Sequence, residues 1–197
     1  MAASKNMDLE GWALRSIQTA IGREMPALQS KIASSRVTEL SQEYFRLFRL
    51  LECTIGQSQT IYAAYRPDNS AVLVLTGRQQ ALRLIAAISP VAFKSADDVF
   101  EFAAFADLLT SEDTGTVTKV SSVDDLKKIA KGDVSAIQDQ FRDRVQPVER
   151  TVLPYGLQER FHIVSTNRLI ERTRMIASGG IFFRQDEVLT DNLPIAR

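Results

Sequence analysis

From Val148 to Phe183 the chain reads as four β-rich runs, Val148–Leu153, Arg160–Thr166, Leu169–Ala177 and Ile181–Phe183. Turns at Pro154-Tyr155-Gly156, Asn167-Arg168 and Ser178-Gly179-Gly180 separate them, and no gap is longer than the six residues 154–159. Strands joined by so few residues run antiparallel, because a parallel crossover needs a dozen residues or more. The last third is therefore expected to be an antiparallel meander over residues 148–184. A fold containing it must build its core on a sheet whose strands are neighbours in sequence.

The period of the apolar residues is different at the front of the chain. Leu9, Trp12, Ala13, Ile17, Ala20 and Ile21 recur at helical spacing behind Asp8, a suitable N-cap. Gly22 and Pro26 end that helix, and Pro26 suits the first turn of another. Leu28, Ile32, Val37, Leu40, Tyr44, Leu47, Phe48 and Leu51 continue a spacing of three and four. This predicts a second helix from Pro26 to about Glu52, with Ser34-Ser35 its weakest point, and a helical hairpin over 8–52. The runs Thr60–Tyr65 and Ala71–Leu75, around Pro67-Asp68-Asn69-Ser70, predict a β-hairpin over 59–76.

A helical insert is expected over 78–143. It comprises Gln79 to Ile88, a helix opened by Ser95-Ala96-Asp97-Asp98, a short helix opened by Ser122-Val123-Asp124-Asp125, and Val134 to Arg144. The two Ser-x-Asp-Asp openings are the same capping chemistry used twice. Thr116 to Val120 alternates as a strand within this insert. Helices segregated from antiparallel strands argue an α+β fold. The expected form is the helical hairpin packed on one antiparallel sheet made of the β-hairpin and the meander.

A chain of 197 residues with 45% apolar and 24% charged side chains buries a sizeable core without staples. One domain over 1–197 is expected, with the helical hairpin 8–52 as a candidate subdomain. Lysine plus arginine equals aspartate plus glutamate at 24 each, so no net field steers the protein toward nucleic acid or an anionic membrane. The lone Cys53 excludes an intramolecular disulfide and a cysteine-based zinc cluster. No apolar run is long enough for a transmembrane helix. The N-terminal residues lack the apolar core of a signal peptide, which points to the cytoplasm. A secreted protein with a trimmed leader is the alternative.

His162 is the only histidine, so any histidine-based hydrolytic mechanism must use it as the base. Arg160 lies two residues away, on the same face of a strand. The bland reading is a half-buried strand histidine satisfied by a neighbour. Cys53 sits among apolar neighbours and reads as packing. Gly77-Arg78 follows a strand and opens a helix, but a single glycine falls short of a phosphate-binding signature. Asp97, Asp98, Asp124 and Asp125 stand in first helical turns, where capping and the helix dipole account for them. No metal and no cofactor are expected.

The arginines near the end are the most suggestive feature. Arg172 and Arg174 share a strand face, and a three-residue turn at 178–180 would set Arg174 opposite Arg184. Like charges so placed need an anion, a carboxylate or water between them. Arg160, Arg172, Arg174 and Arg184 are thus candidate anion-binding residues, with Glu159 and Glu171 as possible internal partners.

The function expected is a non-enzymatic binding or accessory protein. It would meet a protein partner through the N-terminal helices or the arginine face. The alternative is a small hydrolase-like enzyme using His162 with nearby arginines. A third reading, weak anion or nucleic-acid binding by the arginine face, is disfavoured for nucleic acid by the zero net charge. The sequence does not set the oligomeric state.

Overall fold

A computed structural model describes residues 11–56, 59–68, 70–112 and 117–195 of the chain. The fold is α+β, with helices and two antiparallel sheets. The described residues form two compact units. One comprises residues 11–112 and Ser178–Phe182, the other 117–177 and 183–195. Among the described residues, no helix is long and apolar enough to cross a membrane. Asp8 and Leu9, Asn69 in the turn and Thr116 at the strand start lie outside the described residues, as do the side chains of Trp12 and Ala13.

In the first unit, α1 (Gly11–Glu24) forms where the helical spacing predicts. Its Ile17 and Ile21 are fully buried, in one core with Leu51, Cys53, Ile55, Ile61, Tyr65 and Val74. The second arm of the expected helical hairpin is absent. Pro26–Leu28 is a 3-10 turn, and α2 (Gln29–Ile32) is a single turn. β1 (Arg36–Leu40) and β2 (Arg49–Ile55) follow.

The correction has a physical cause. Leu51, Cys53 and Ile55 put alternate side chains into the core, which is the period of a strand. Pairing of β2 with β3 (Gln59–Arg66) supplies a ladder that no local helix could match, with Cys53 opposite Ile61 and Leu51 opposite Ala63. β1 then pairs with the other edge of β2, Val37 opposite Cys53. The loop between them is closed by Gln42. Its Oε1 accepts from the Phe45 N–H at 2.7 Å, and its Nε2 donates to the Phe45 and Phe48 carbonyls.

The hairpin over 59–76 forms as expected, from β3 and β4 (Ala71–Val74), and completes the order β1-β2-β3-β4. It does not share a sheet with the meander. The free edge of β3 is taken by β2, so the hairpin is finished as a sheet within its own unit. The helix α3 (Gln79–Ile88) follows, then α4 (Ala96–Thr110). α4 opens with a capping box: the Asp98 N–H donates to Ser95 Oγ at 3.1 Å, and Asp98 Oδ2 accepts from the Ser95 N–H at 3.2 Å.

The second unit carries β5 (Val117–Val120), β6 (Glu149–Leu153), β7 (Gly156–Ser165), β8 (Arg168–Ala177) and β9 (Ile181–Thr190). β9 belongs to this unit from Phe183 onward. The meander β6 to β9 is present, and the insert adds β5 to its sheet. One edge of β7 is divided: β6 pairs with residues 156–160 and β5 with 162–165. β8 occupies the whole of the other edge.

Gly156 begins β7 because nothing larger fits, since a Cβ there would lie 2.1 Å from the Ile176 carbonyl oxygen. The second capping box, Ser122 with Asp125, opens a 3-10 turn that leads into α5 (Leu126–Ile129). α6 (Ser135–Phe141) follows. Val123, Leu126, Val134, Phe141 and Val145 pack with Val120, Val164 and Leu169 of the sheet. The chain past Phe183, where the expected fourth run ends, continues β9 to Thr190. It is then pinned, the Lys131 N–H donating to the Pro194 carbonyl at 2.7 Å.

Candidate functional site

The pleat of β7 sends Arg160, His162 and Val164 to one face and Glu159, Phe161 and Ile163 to the other. Across the ladder, His162 stands between Val120 on β5 and Glu171 on β8. His162 is only 3% exposed, and its Nε2 lies 3.3 Å from Glu171 Oε2, at the long end for a hydrogen bond. Its Nδ1 is buried and has no hydrogen-bond partner among the described residues. Protonation at Nε2 lets the ring donate to Glu171 and leaves Nδ1 a bare acceptor. The other tautomer would bury an N–H with nothing to receive it, at a cost of about 1–3 kcal/mol.

Glu171 is itself held. Arg144 Nε approaches its Oε2 at 3.7 Å, and Arg144 Nη2 donates to Glu187 Oε1 at 2.5 Å. The hydrogen bond that Arg144 donates to Glu187 leads the causes that raise the Arg144 pKa above its ordinary value. Arg144 follows α6 in a turn closed by the N–H groups of Arg144 and Val145, both donating to the Phe141 carbonyl. Phe141 and Val145 are core residues, so the sheet core fixes where this arginine starts. The result is a line of groups, His162, Glu171 and Arg144, along one cleft, with Glu187 paired to the arginine. The cleft encloses about 460 Å³ and is lined also by Asp143, Gln146, Pro147, Glu149 and Arg160. Arg160 pairs with Glu149, directly opposite it on β6.

The other candidate arginines lie apart from this cleft. Arg172 and Arg174 are on the opposite face of β8 from Glu171, and are 3% and 4% exposed. Arg172 grips Asp186 with two bonds, Nε to Oδ1 at 2.8 Å and Nη2 to Oδ2 at 2.7 Å. Arg174 pairs with the buried Glu159, whose other oxygen receives Arg150 Nε at 3.3 Å. The Phe161 ring is flanked by two cations, Arg174 Cζ and Lys119 Nζ, each 4.5 Å from its centroid. Arg184 is half-buried on β9. The turn Ser178–Gly180 joins Ala177 to Ile181, the connection that sets residues equally distant from it side by side. Arg172 and Asp186 are such a pair.

The structure thus brings His162 and Arg160 to one cleft and sends Arg172 and Arg174 to another face. Sequence reasoning missed Arg144, Glu149 and Glu187, and considered Glu171 only as a partner for the arginines. The missing signal was the register of β7 and β8. Their turn is Thr166-Asn167, with Thr166 at a φ of 57°, one residue earlier than the expected Asn167-Arg168. With that turn, counting back from Ser165 opposite Arg168 puts Glu171 beside His162.

The remaining sequence candidates are accounted for locally. Cys53 is fully buried, and burial, reinforced by Glu52, pushes its thiol pKa up to about 12. The Gly77 N–H donates to the Thr110 carbonyl at 3.1 Å, and Arg78 pairs with Glu24 at 2.7 Å. Among the described residues, no three histidine, cysteine or acidic side chains gather as metal ligands. No family model, characterised protein or solved structure matches this chain.

Proposed function

We propose that this is a non-enzymatic binding protein, and that the His162 cleft receives a neutral polar ligand which donates a hydrogen bond to His162 Nδ1. The observation that carries the reading is that nitrogen, buried and without a partner among the described residues, on a side chain that lines the cleft. Buried acceptors are ordinarily satisfied, and an exception in a cleft is where a ligand donor gains most. The arginines lining the cleft are already matched: Glu149 holds Arg160, and Glu187 and Glu171 hold Arg144. An anionic ligand would have to break these pairs, whereas a hydroxyl or amide donor would not. The carboxylates on Arg160, Arg172 and Arg174 likewise weigh against anion or nucleic-acid binding.

The single histidine makes the test direct, since its ring nitrogens give one set of ¹⁵N resonances. Titration with a collection of small neutral polyols and amides should move the Nδ1 resonance for some members. Those members should lose affinity about tenfold in His162→Phe, the scale of a buried hydrogen bond. Ligands that bind equally well to His162→Phe, or a collection that never moves the resonance, would remove the reading.

The hydrolase-like alternative draws on one specific observation, the 3.3 Å approach of His162 to Glu171. A histidine oriented by a carboxylate can serve as a general base, here toward water, with Arg160 in the same cleft for a developing negative charge. It predicts turnover of simple chromogenic esters or phosphates that falls about 10²–10⁴-fold in His162→Ala. Turnover unchanged by that substitution would discard it.

A further inference from the structure

A second concave surface lies in the first unit, and of the carboxylates singled out in the sequence Asp98 lines it. The loop before β2, the segment between α3 and α4, and one side of α4 together form a groove of about 900 Å³. Its floor is aromatic. Tyr44 and Phe105 meet at 5.4 Å between centroids, and the buried Phe102 lies 5.0 Å from Tyr44 and 5.4 Å from Phe93. Phe102 is fully buried, so it anchors the cluster, while Tyr44, Phe93 and Phe105 keep part of their rings at the surface. Half-exposed aromatic faces offer a partly negative surface to a cation.

The rim carries Glu43, Asp98 and Glu101, against Arg46 and Lys94. Asp98 is engaged in capping, accepting from the Lys94 and Ser95 N–H groups. Glu43 and Glu101 are exposed. The Tyr44 hydroxyl is held above its ordinary pKa first by burial, then by Glu101, Asp98 and Glu43. Around the aromatic floor the carboxylates outnumber the cations Arg46 and Lys94, three to two.

We propose that this groove docks a lysine- or arginine-bearing segment of a protein partner, with the cation over the Tyr44 and Phe105 rings and facing Glu43, Asp98 and Glu101. Charge and shape choose this occupant. Three carboxylates over exposed rings suit a single cation, and the 900 Å³ exceeds what one headgroup fills, leaving Pro90, Val91 and Ala92 to pack its neighbours in sequence. Arg46 and Lys94 disfavour a run of consecutive positive charges. The site stands independently of the His162 cleft.

The test uses the full chain, immobilised, and four peptide pools with randomised flanks around a central lysine, arginine, glutamine or glutamate. The lysine and arginine pools should be retained about tenfold better than the glutamine pool, and less so at high salt. Glu43→Gln/Glu101→Gln, at exposed positions and with an unchanged circular dichroism spectrum, should bring them to the glutamine level. Tyr44→Ala should do the same. Equal retention of all pools, retention of none, or a preference surviving the charge variant would overturn the proposal. So would tetramethylammonium competing as tightly as the best peptides, since the site would then be one for a small cation.

Discussion

Replacing Glu159 with glutamine removes one charge from a pair in which neither side chain is more than 4% exposed. Arg174 would keep its charge, stay packed on Phe161 and lose its carboxylate. Breaking a buried ion pair from one side costs about 3–5 kcal/mol, because the remaining charge is left without compensation. The outer Arg150 contact adds little, as that side chain is 53% exposed. For a chain of this length each kcal/mol moves the melting point by about 2–4 °C, so Glu159→Gln should melt about 6–20 °C lower. Removing both charges should be far milder. Glu159→Gln/Arg174→Met should recover most of the loss, since a buried pair replaced by groups of similar volume is often neutral. Urea unfolding, followed by hydrogen exchange of the β7 and β8 amides, reports on this sheet specifically. A single variant costing under about 1 kcal/mol would refute the reasoning, as would a double variant costing the sum of the two singles.

Four further outcomes follow from the structure. Cys53 should resist thiol reagents at pH 8 in the folded protein and react at once in denaturant, as a buried thiol with a pKa near 12 requires. Because that pKa is raised by folding, its contribution to stability is intact below about pH 9 and declines as the pH climbs toward 12, measurable by melts across that range. Gly156→Ala should destabilise by at least about 2 kcal/mol in chemical unfolding, since its Cβ would collide with the Ile176 carbonyl oxygen in the first pair of the β7–β8 ladder. Asp125 is held down to about pKa 2 by Lys128 and by the Ser121 and Ser122 N–H groups. The cap it makes should therefore survive mild acid and be lost only as the pH falls from about 4 toward 2, which carboxyl chemical shifts would follow.

The strands of the last third were legible because each turn carries its own chemistry, and both capping boxes because serine and aspartate satisfy helix-start N–H groups wherever they occur. Residues 36–55 were not legible. Val37, Leu40, Tyr44, Leu47, Phe48 and Leu51 fit a helical stripe as well as two short strands, and local spacing cannot register that β3 waits to pair. The same limit hid the division into two sheets. Which edges remain free depends on partners far along the chain, such as β5, which claims half of an edge of β7 from within a mostly helical segment.

The candidate site was half legible for a related reason. Two-residue periodicity grouped Arg160 with His162, and Arg172 with Arg174, and both groupings hold. It could not say which residues of neighbouring strands stand opposite one another, because that is set by the turn, and moving a two-residue turn by one position shifts every facing pair by two residues. With the turn at Thr166-Asn167, Glu171 falls to His162, while Arg172 and Arg174 are left to Asp186 and Glu159. The arginines that looked most available are therefore the ones the fold has already neutralised. Among the buried groups without a hydrogen-bond partner among the described residues is a ring nitrogen of the lone histidine. On the reading proposed above, a ligand on this sheet gains least where charge is already paired and most at that nitrogen of His162.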